Sequence, residues 1–163
     1  SKLNGRGVLR PTQQAIHMSH AFLWTERVTC IRADAGCVIT EVVGGKEMCV
    51  SHGYNGGGVG MNDNGCAHEG KIPGQCEHFH SEQNALLMAS RSSDRNLYVT
   101  FEPCLMCAKA IVNAGGFKRV YIGGKGYRTH LGIQYLLDAG IAVYWLMPPL
   151  GWLGGLCEGK GPK

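Results

Sequence analysis

His80 and Glu82 stand two residues apart, and Cys104 and Cys107 follow in the run 103-PCLMC-107. Imidazole nitrogen and thiolate sulfur are donors that zinc prefers. Two thiols spaced as Cys-x-x-Cys in the first turn of a helix can reach one metal ion, and the positive end of that helix favours the thiolate. With His80 they make three ligands. A structural zinc site closes with four, whereas a catalytic one keeps a place open for water. Glu82, so close to the histidine, is then placed to move protons. Two other readings stay open on these residues alone. One is a closed structural zinc module that draws a fourth ligand from the neighbouring Cys and His. The other is a disulfide framework.

Such a cluster needs elements that bring it together. After Pro11, the residues Ala15, Ile16, Met18, Ala21, Phe22, Trp24 and Val28 predict an amphipathic helix to about residue 29. AGCVITEVV (35–43), a Gly-Gly turn and KEMCVSHGY (46–54) predict a hairpin. Cys37 and Cys49 read there as small buried hydrophobes. Residues 55–79 form a long Gly-rich loop, and a helix is expected from His80 to Arg91. Then come a strand at 96–101, a helix at 103–115 with Pro in its first turn and Gly at its end, a strand at 118–123, a helix at 130–140 and a strand at 141–146. The last three strands are joined by helices, so they should be parallel. Strand 96–101 lies between the two metal-bearing helices and can bring both their N-termini to one edge of the sheet. The chain reads as a single domain over 1–163, with an N-terminal arm (1–10) and a Pro/Gly-rich tail (147–163) in which Cys157 has no assignable partner.

The 163 residues suffice for a real core, so metal is not needed merely to fold. The apolar and charged fractions, 44% and 17%, are those of a globular domain. A net charge of +4 suits an anionic ligand such as a nucleotide phosphate, while the absence of dense Lys/Arg runs argues against a nucleic-acid partner. No apolar run reaches membrane-spanning length. The opening SKLNGRGVLRPTQQ has no apolar leader stretch, so a cytoplasmic location is expected, where thiols stay reduced and the eight Cys favour metal over disulfides.

The pattern H-x-E…P-C-x-x-C is the signature of zinc-dependent base deaminases. With 29-TCIRADAGCVIT-40, 53-GYNGGGVG-60, 80-HSEQNAL-86, 98-YVTFEPCLMCAKAIVNAG-115 and 132-GIQYLLDAGIAV-143, the chain resembles the deoxycytidylate (dCMP) deaminases of the cytidine deaminase-like superfamily over about residues 15–146. The resemblance implies a three-layer α-β-α fold around a five-stranded mixed sheet whose last strands are parallel. It implies hydrolysis of dCMP to dUMP and ammonia in pyrimidine nucleotide metabolism, with zinc-activated water attacking C4 and Glu82 carrying protons. His80, Cys104 and Cys107 would hold the zinc. Asn55 would contact the deoxyribose, the backbone around Ser81, Glu102 and Pro103 would border the base, and Tyr127 and Arg128 would lie towards the phosphate. Gly53, Tyr54 and Gly56 would shape the nucleotide loop, and Arg91 would sit near the phosphate and regulatory site. Cys30, Cys66, Cys76, His78 and His68 supply candidates for a second, structural zinc, which would order the Gly-rich loop. The resemblance further implies dCTP and dTTP as effectors, Mg2+ accompanying such a triphosphate, and a homo-oligomer, often a hexamer. Three residue choices depart from the family. Ser81 stands where Ala is usual, FEPC is closer to the tRNA adenosine deaminase form than to SPC, and GYNG runs on into GGVG. Two alternatives are a deaminase of another base, in tRNA or a free nucleoside, and a non-catalytic zinc module that binds nucleic acid or protein.

Overall fold

Helix α1 (Gln13–Trp24) begins where the Thr12 side chain accepts a hydrogen bond from the Ala15 N–H at 3.1 Å. That bond satisfies a donor which every helix start leaves unpaired. The helix stops short of the expected end near residue 29, and a 3-10 turn, Thr25–Arg27, leads the chain away. The computed structural model describes residues 2–30, 33–61, 72, 76–127 and 129–148. Most of the expected C-terminal tail, with Cys157, therefore lies outside the described residues. Residues of the N-terminal arm close on themselves as a small exposed hairpin: Leu3 bridges Leu9, and Asn4 Oδ1 accepts from the Arg6 and Val8 N–H groups at 2.9 and 3.1 Å.

Strands β1 (Gly36–Val43) and β2 (Lys46–Tyr54) pair antiparallel across Gly44-Gly45. Both turn glycines have positive φ, 56° and 76°, as a two-residue hairpin turn requires. Then follow a short pair, β3 (Gly56–Gly57) with β4 (His78–Phe79), and α2 (Ser81–Met88), β5 (Arg95–Phe101), α3 (Leu105–Ala114), β6 (Phe117–Lys125), α4 (Leu131–Asp138) and β7 (Ala142–Trp145). The main sheet has the order β2-β1-β5-β6-β7. β1 is antiparallel to both its neighbours, whereas β5, β6 and β7 are parallel, as their helical crossovers demand.

Alternation along the strands sorts side chains to two faces. Val38 and Tyr98 turn towards α1 and pack on Met18 and Ala21. Cys37, Ile39, Leu97 and Val99 turn the other way, onto Ala85 of α2, Ala108 and Ile111 of α3 and Leu136 of α4. This is the expected three-layer α-β-α arrangement with a five-stranded mixed sheet. Each fully buried Ile, Leu or Val contributes on the order of 2 kcal/mol. Cys49, expected in the core with Cys37, is exposed. It sits on edge strand β2 opposite Thr40, beyond an irregularity between Ile39 and Thr40 that shifts the register. Among the described residues, no helix is long and apolar enough to cross a membrane.

Helix α2 ends at Met88 rather than Arg91, and Ala89 is already extended at ψ 134°. The chain must turn there to deliver Arg95 into the sheet. Arg95 is 2% exposed, lies over the Phe117 ring at 4.2 Å and donates to the Ala114 and Gly115 carbonyls that end α3. A cation at that position completes the carbonyl end of the helix.

Candidate metal centre and active site

Cys104 is the N-cap residue of α3, and its Sγ accepts the Cys107 N–H at 3.5 Å. His80 holds the same position on α2, where its backbone N–H donates to Gln83 Oε1 at 2.8 Å. That is the return half of a capping box, whose signal in the sequence was His80 followed by Gln83 at the third place. Helices α2 and α3 pack together on one face of the sheet, so their starts meet.

His80 Nδ1 lies 3.6 Å from Cys104 Sγ and 3.4 Å from Cys107 Sγ. All three donor atoms lie within 4.8 Å of one another, the one such group of His, Cys, Asp or Glu among the described residues. A tetrahedral zinc ion holds nitrogen and sulfur ligands about 3.5 Å apart, so the donors and their spacing fit that ion. The two thiols hold their protons unequally. Cys104 is lowered to about 4 by its hydrogen bond with Cys107 and by His80, against its burial. Cys107 is raised well above the usual thiol range by that same bond, by burial and by nearby Glu82. A divalent cation would favour the thiolate of both.

Glu82 lies in the first turn of α2 and is 4% exposed. Burial raises its carboxyl above the usual carboxylate range, against the pull of its own backbone N–H and of His80. Ser81 Oγ donates to Glu82 Oε2 at 3.0 Å. A carboxyl raised in this way beside three metal-donor side chains suits a group that takes up a proton and returns it.

The GYNG segment is fastened to the same helix. Asn55 is 4% exposed, and its Oδ1 accepts the Ser81 N–H at 2.8 Å. The Tyr54 carbonyl accepts from Asn84 Nδ2 at 2.8 Å. Gly53 has a packing reason to be glycine, because a β-carbon there would stand 2.2 Å from the Ser81 carbonyl oxygen and 2.6 Å from the Ala85 nitrogen. Gly56 pairs with Phe79 in the short β3–β4 ladder. Arg91 is exposed beyond the far end of α2, which separates it from His80 by about 12 Å of helix.

Tyr127 packs edge to face on Phe101 at 5.6 Å. Its hydroxyl is raised by burial and then by the charges of Cys104, Cys107 and Glu82. Arg128 lies outside the described residues. Pro103 is buried between β5 and α3. Glu102 is 1% exposed, with its carboxylate engaged by the Tyr127 N–H at 2.7 Å and by His130 Nδ1 at 2.8 Å. The sequence reading had not singled out His130. A pairing between two loops leaves no periodic trace, and FEPC was the only hint that Glu102 had a particular task.

Of the second set, Cys30 is buried, while Cys76 and His78 are half-buried. Cys66 and His68 lie outside the described residues, so a site that uses them cannot be assembled from the rest.

Residues 10–124 match the family described as the cytidine and deoxycytidylate deaminase zinc-binding region. The chain belongs to this family. It is 37% identical over 135 residues to ComE operon protein 2 of Bacillus subtilis, covering 77% of this chain and 67% of that protein. It is 32% identical over 152 residues to the deoxycytidylate deaminase of Schizosaccharomyces pombe, covering 86% of this chain and 46% of that enzyme. The chain thus spans about two thirds of the first relative and less than half of the second. Its fold is similar to that of the dCMP deaminase of cyanophage S-TIM5 in complex with dCMP and dUMP, with a TM-score of 0.70, 31% identity, and coverage of 85% of this chain and 99% of that one.

Proposed function

We propose that this chain is a zinc-dependent deaminase that hydrolyses dCMP to dUMP and ammonia. One observation carries the reading. Three metal donors, His80, Cys104 and Cys107, meet with buried Glu82 beside them, and among the described residues no fourth donor of their kind joins the group. The similarity to deoxycytidylate deaminases supports dCMP as the substrate.

His80 and the two thiolates would hold the zinc. Bound there, the ion would acidify a water at its open position. Glu82 would take the proton that water gives up and deliver it to ring N3 as the C4–O bond forms, then take the proton of the new C4 hydroxyl and pass it to the amino group, so that the C4–N bond breaks, ammonia leaves and C4 keeps a carbonyl oxygen. Ser81 steadies one oxygen of Glu82 through these transfers. Asn55, fixed against the Ser81 N–H, stands at the start of α2 and would contact the sugar. The backbone around Ser81, Glu102 and Pro103 would border the base, and Tyr127 and Arg128 would lie towards the phosphate.

The finer parts of the reading follow from the same family. Cys30, Cys66, Cys76, His78 and His68 would supply a second, structural zinc. Gly53, Tyr54, Gly56 and Arg91 would serve an effector site for dCTP or dTTP with Mg2+. The protein would assemble as a homo-oligomer, a hexamer by analogy, and work in the cytoplasm.

The experiment is ammonia release by zinc-loaded protein from dCMP, cytidine, deoxycytidine, dCTP and an adenosine-containing tRNA stem, each with and without added dCTP. Turnover confined to dCMP is expected. Turnover of adenosine alone would transfer the chemistry to another base, and silence on every compound would leave a binding module.

A further inference from the structure

Glu102 has no part in the proton transfers proposed above, yet its side chain is fully enclosed. Both of its oxygens are engaged. Oε2 accepts the Tyr127 N–H at 2.7 Å, and His130 Nδ1 lies 2.8 Å from Oε1 and 2.9 Å from Oε2. Every one of these bonds runs to the loop that joins β6 to α4. The loop comes so close that a β-carbon on Gly126 would stand 3.1 Å from Glu102 Oε2. Just beyond it, the first turn of α4 rests on the same segment, where a β-carbon on Gly132 would stand 2.0 Å from the Pro103 carbonyl oxygen.

His130 adds a second, independent sign. Among the described residues it is the one non-glycine with positive φ, at 50°. That conformation persists only where surroundings enforce it. The side chain is 63% exposed, so burial does not enforce it, and the carboxylate is its partner. Two residues after Glu102 comes Cys104 of the His80, Cys104 and Cys107 donor group. The carboxylate therefore ties the loop to the very backbone that carries a cluster thiol. Tyr127, 41% exposed, sets its ring against Phe101, the last residue of the strand that leads into Glu102 and Cys104.

We infer that Glu102 is a positioning residue whose carboxylate clamps Tyr127 and His130 against the segment that carries Cys104, so that Tyr127 borders the site and the clamp governs nucleotide affinity. The inference rests on the deaminase reading for its substrate, but its geometry is independent of that reading. It also gives a task other than base recognition to the glutamate that departs from the family's usual serine.

The test compares zinc-loaded wild type with Glu102→Ala, Glu102→Gln and His130→Ala. Amide hydrogen exchange at Tyr127 reads the clamp without turnover, and steady-state deamination of dCMP separates KM from kcat. In Glu102→Ala and His130→Ala, loss of the clamp's hydrogen bonds is expected to speed Tyr127 exchange about tenfold and raise KM about tenfold, with kcat within about threefold of wild type. Glu102→Gln keeps an oxygen for the Tyr127 N–H and an amide N–H for His130 Nδ1, so it should restore most of both. His130→Ala alters an exposed side chain and guards against misfolding of the buried variant. Unchanged Tyr127 exchange in both alanine variants would overturn the clamp. Faster exchange with KM unchanged would overturn the role in affinity, and a fall confined to kcat would move Glu102 into the chemistry. Absence of turnover by wild type would sink the deaminase reading instead, while the exchange rates would still accept or reject the clamp.

Discussion

Cys104 and Cys107 look equivalent in the motif but differ in the fold. Cys104 caps α3 at the surface side of the cluster, whereas Cys107 is fully buried behind it, within electrostatic reach of Cys37 and Glu82. A buried hydroxyl cannot stand in for a thiolate at that position. Cys107→Ser is expected to weaken zinc binding at least about a hundredfold, with metal content after dialysis as the measure. Retained zinc in that variant would remove Cys107 from the ligand set. The four central residues were legible because their spacing is local and their chemistry is shared by few residue types. The pairing of Glu102 with His130 was not, because nothing in a sequence couples a residue before α3 to one before α4.

Helices and strands were legible wherever apolar periodicity ran for several turns or pleats. The β3–β4 pair was missed because two glycines and two residues beside a Gly-rich loop carry no pattern. The end of α2 was missed because Ala-Ser-Arg reads as helix, while the need to bring Arg95 to the carbonyl end of α3 is a tertiary demand. Close approach of β2 to α2 gives one prediction. Gly53→Ala would push its methyl into the Ser81 carbonyl and the Ala85 nitrogen, and should cost about 1–3 kcal/mol of stability, read as a lowered urea midpoint. A midpoint equal to wild type would mean that α2 can move aside freely.

The packing of α1 on β2 gives another prediction. Trp24 Nε1 donates to His20 Nε2 at 3.0 Å, which requires that nitrogen to be unprotonated, and the Trp24 ring stacks on His52 at 3.7 Å. Burial lowers both histidines below 6.5, and His52 and His17 lower His20 further. The unfolded chain therefore takes up these protons first. Their contribution is present above about pH 6.5 and is lost as pH falls through the lowered folded values. The urea midpoint should drop between about pH 7.5 and about pH 5.5, and His20→Gln should flatten that slope. An identical slope in the variant would show that other groups set it.

At the scale of the whole fold, the C-terminal ends of the inner strands β5 and β6 gather the chemistry. α2 brings His80 and Glu82, the start of α3 brings Cys104 and Cys107, and the ends of β5 and β6 bring Glu102 and Tyr127. The α1 face carries a separate polar network, in which Glu47 Oε1 accepts from Thr40, Asn96 and Tyr98. The core on both faces is apolar and does not include the cluster's His80 or Cys104. Chelation of zinc is therefore expected to abolish turnover while leaving the far-ultraviolet circular dichroism in place, and added zinc should restore activity. Loss of the dichroism on chelation would make the metal a structural requirement. This architecture was legible as a whole because the crossover helices leave β5, β6 and β7 only a parallel arrangement.

The most direct test of the proposed chemistry is ammonia release from dCMP by zinc-loaded wild type and Glu82→Gln, with zinc measured in the same samples. Steady release is expected from wild type, with a fall of at least about a thousandfold in Glu82→Gln at equal zinc. Normal turnover by Glu82→Gln, or none by fully loaded wild type, would contradict it.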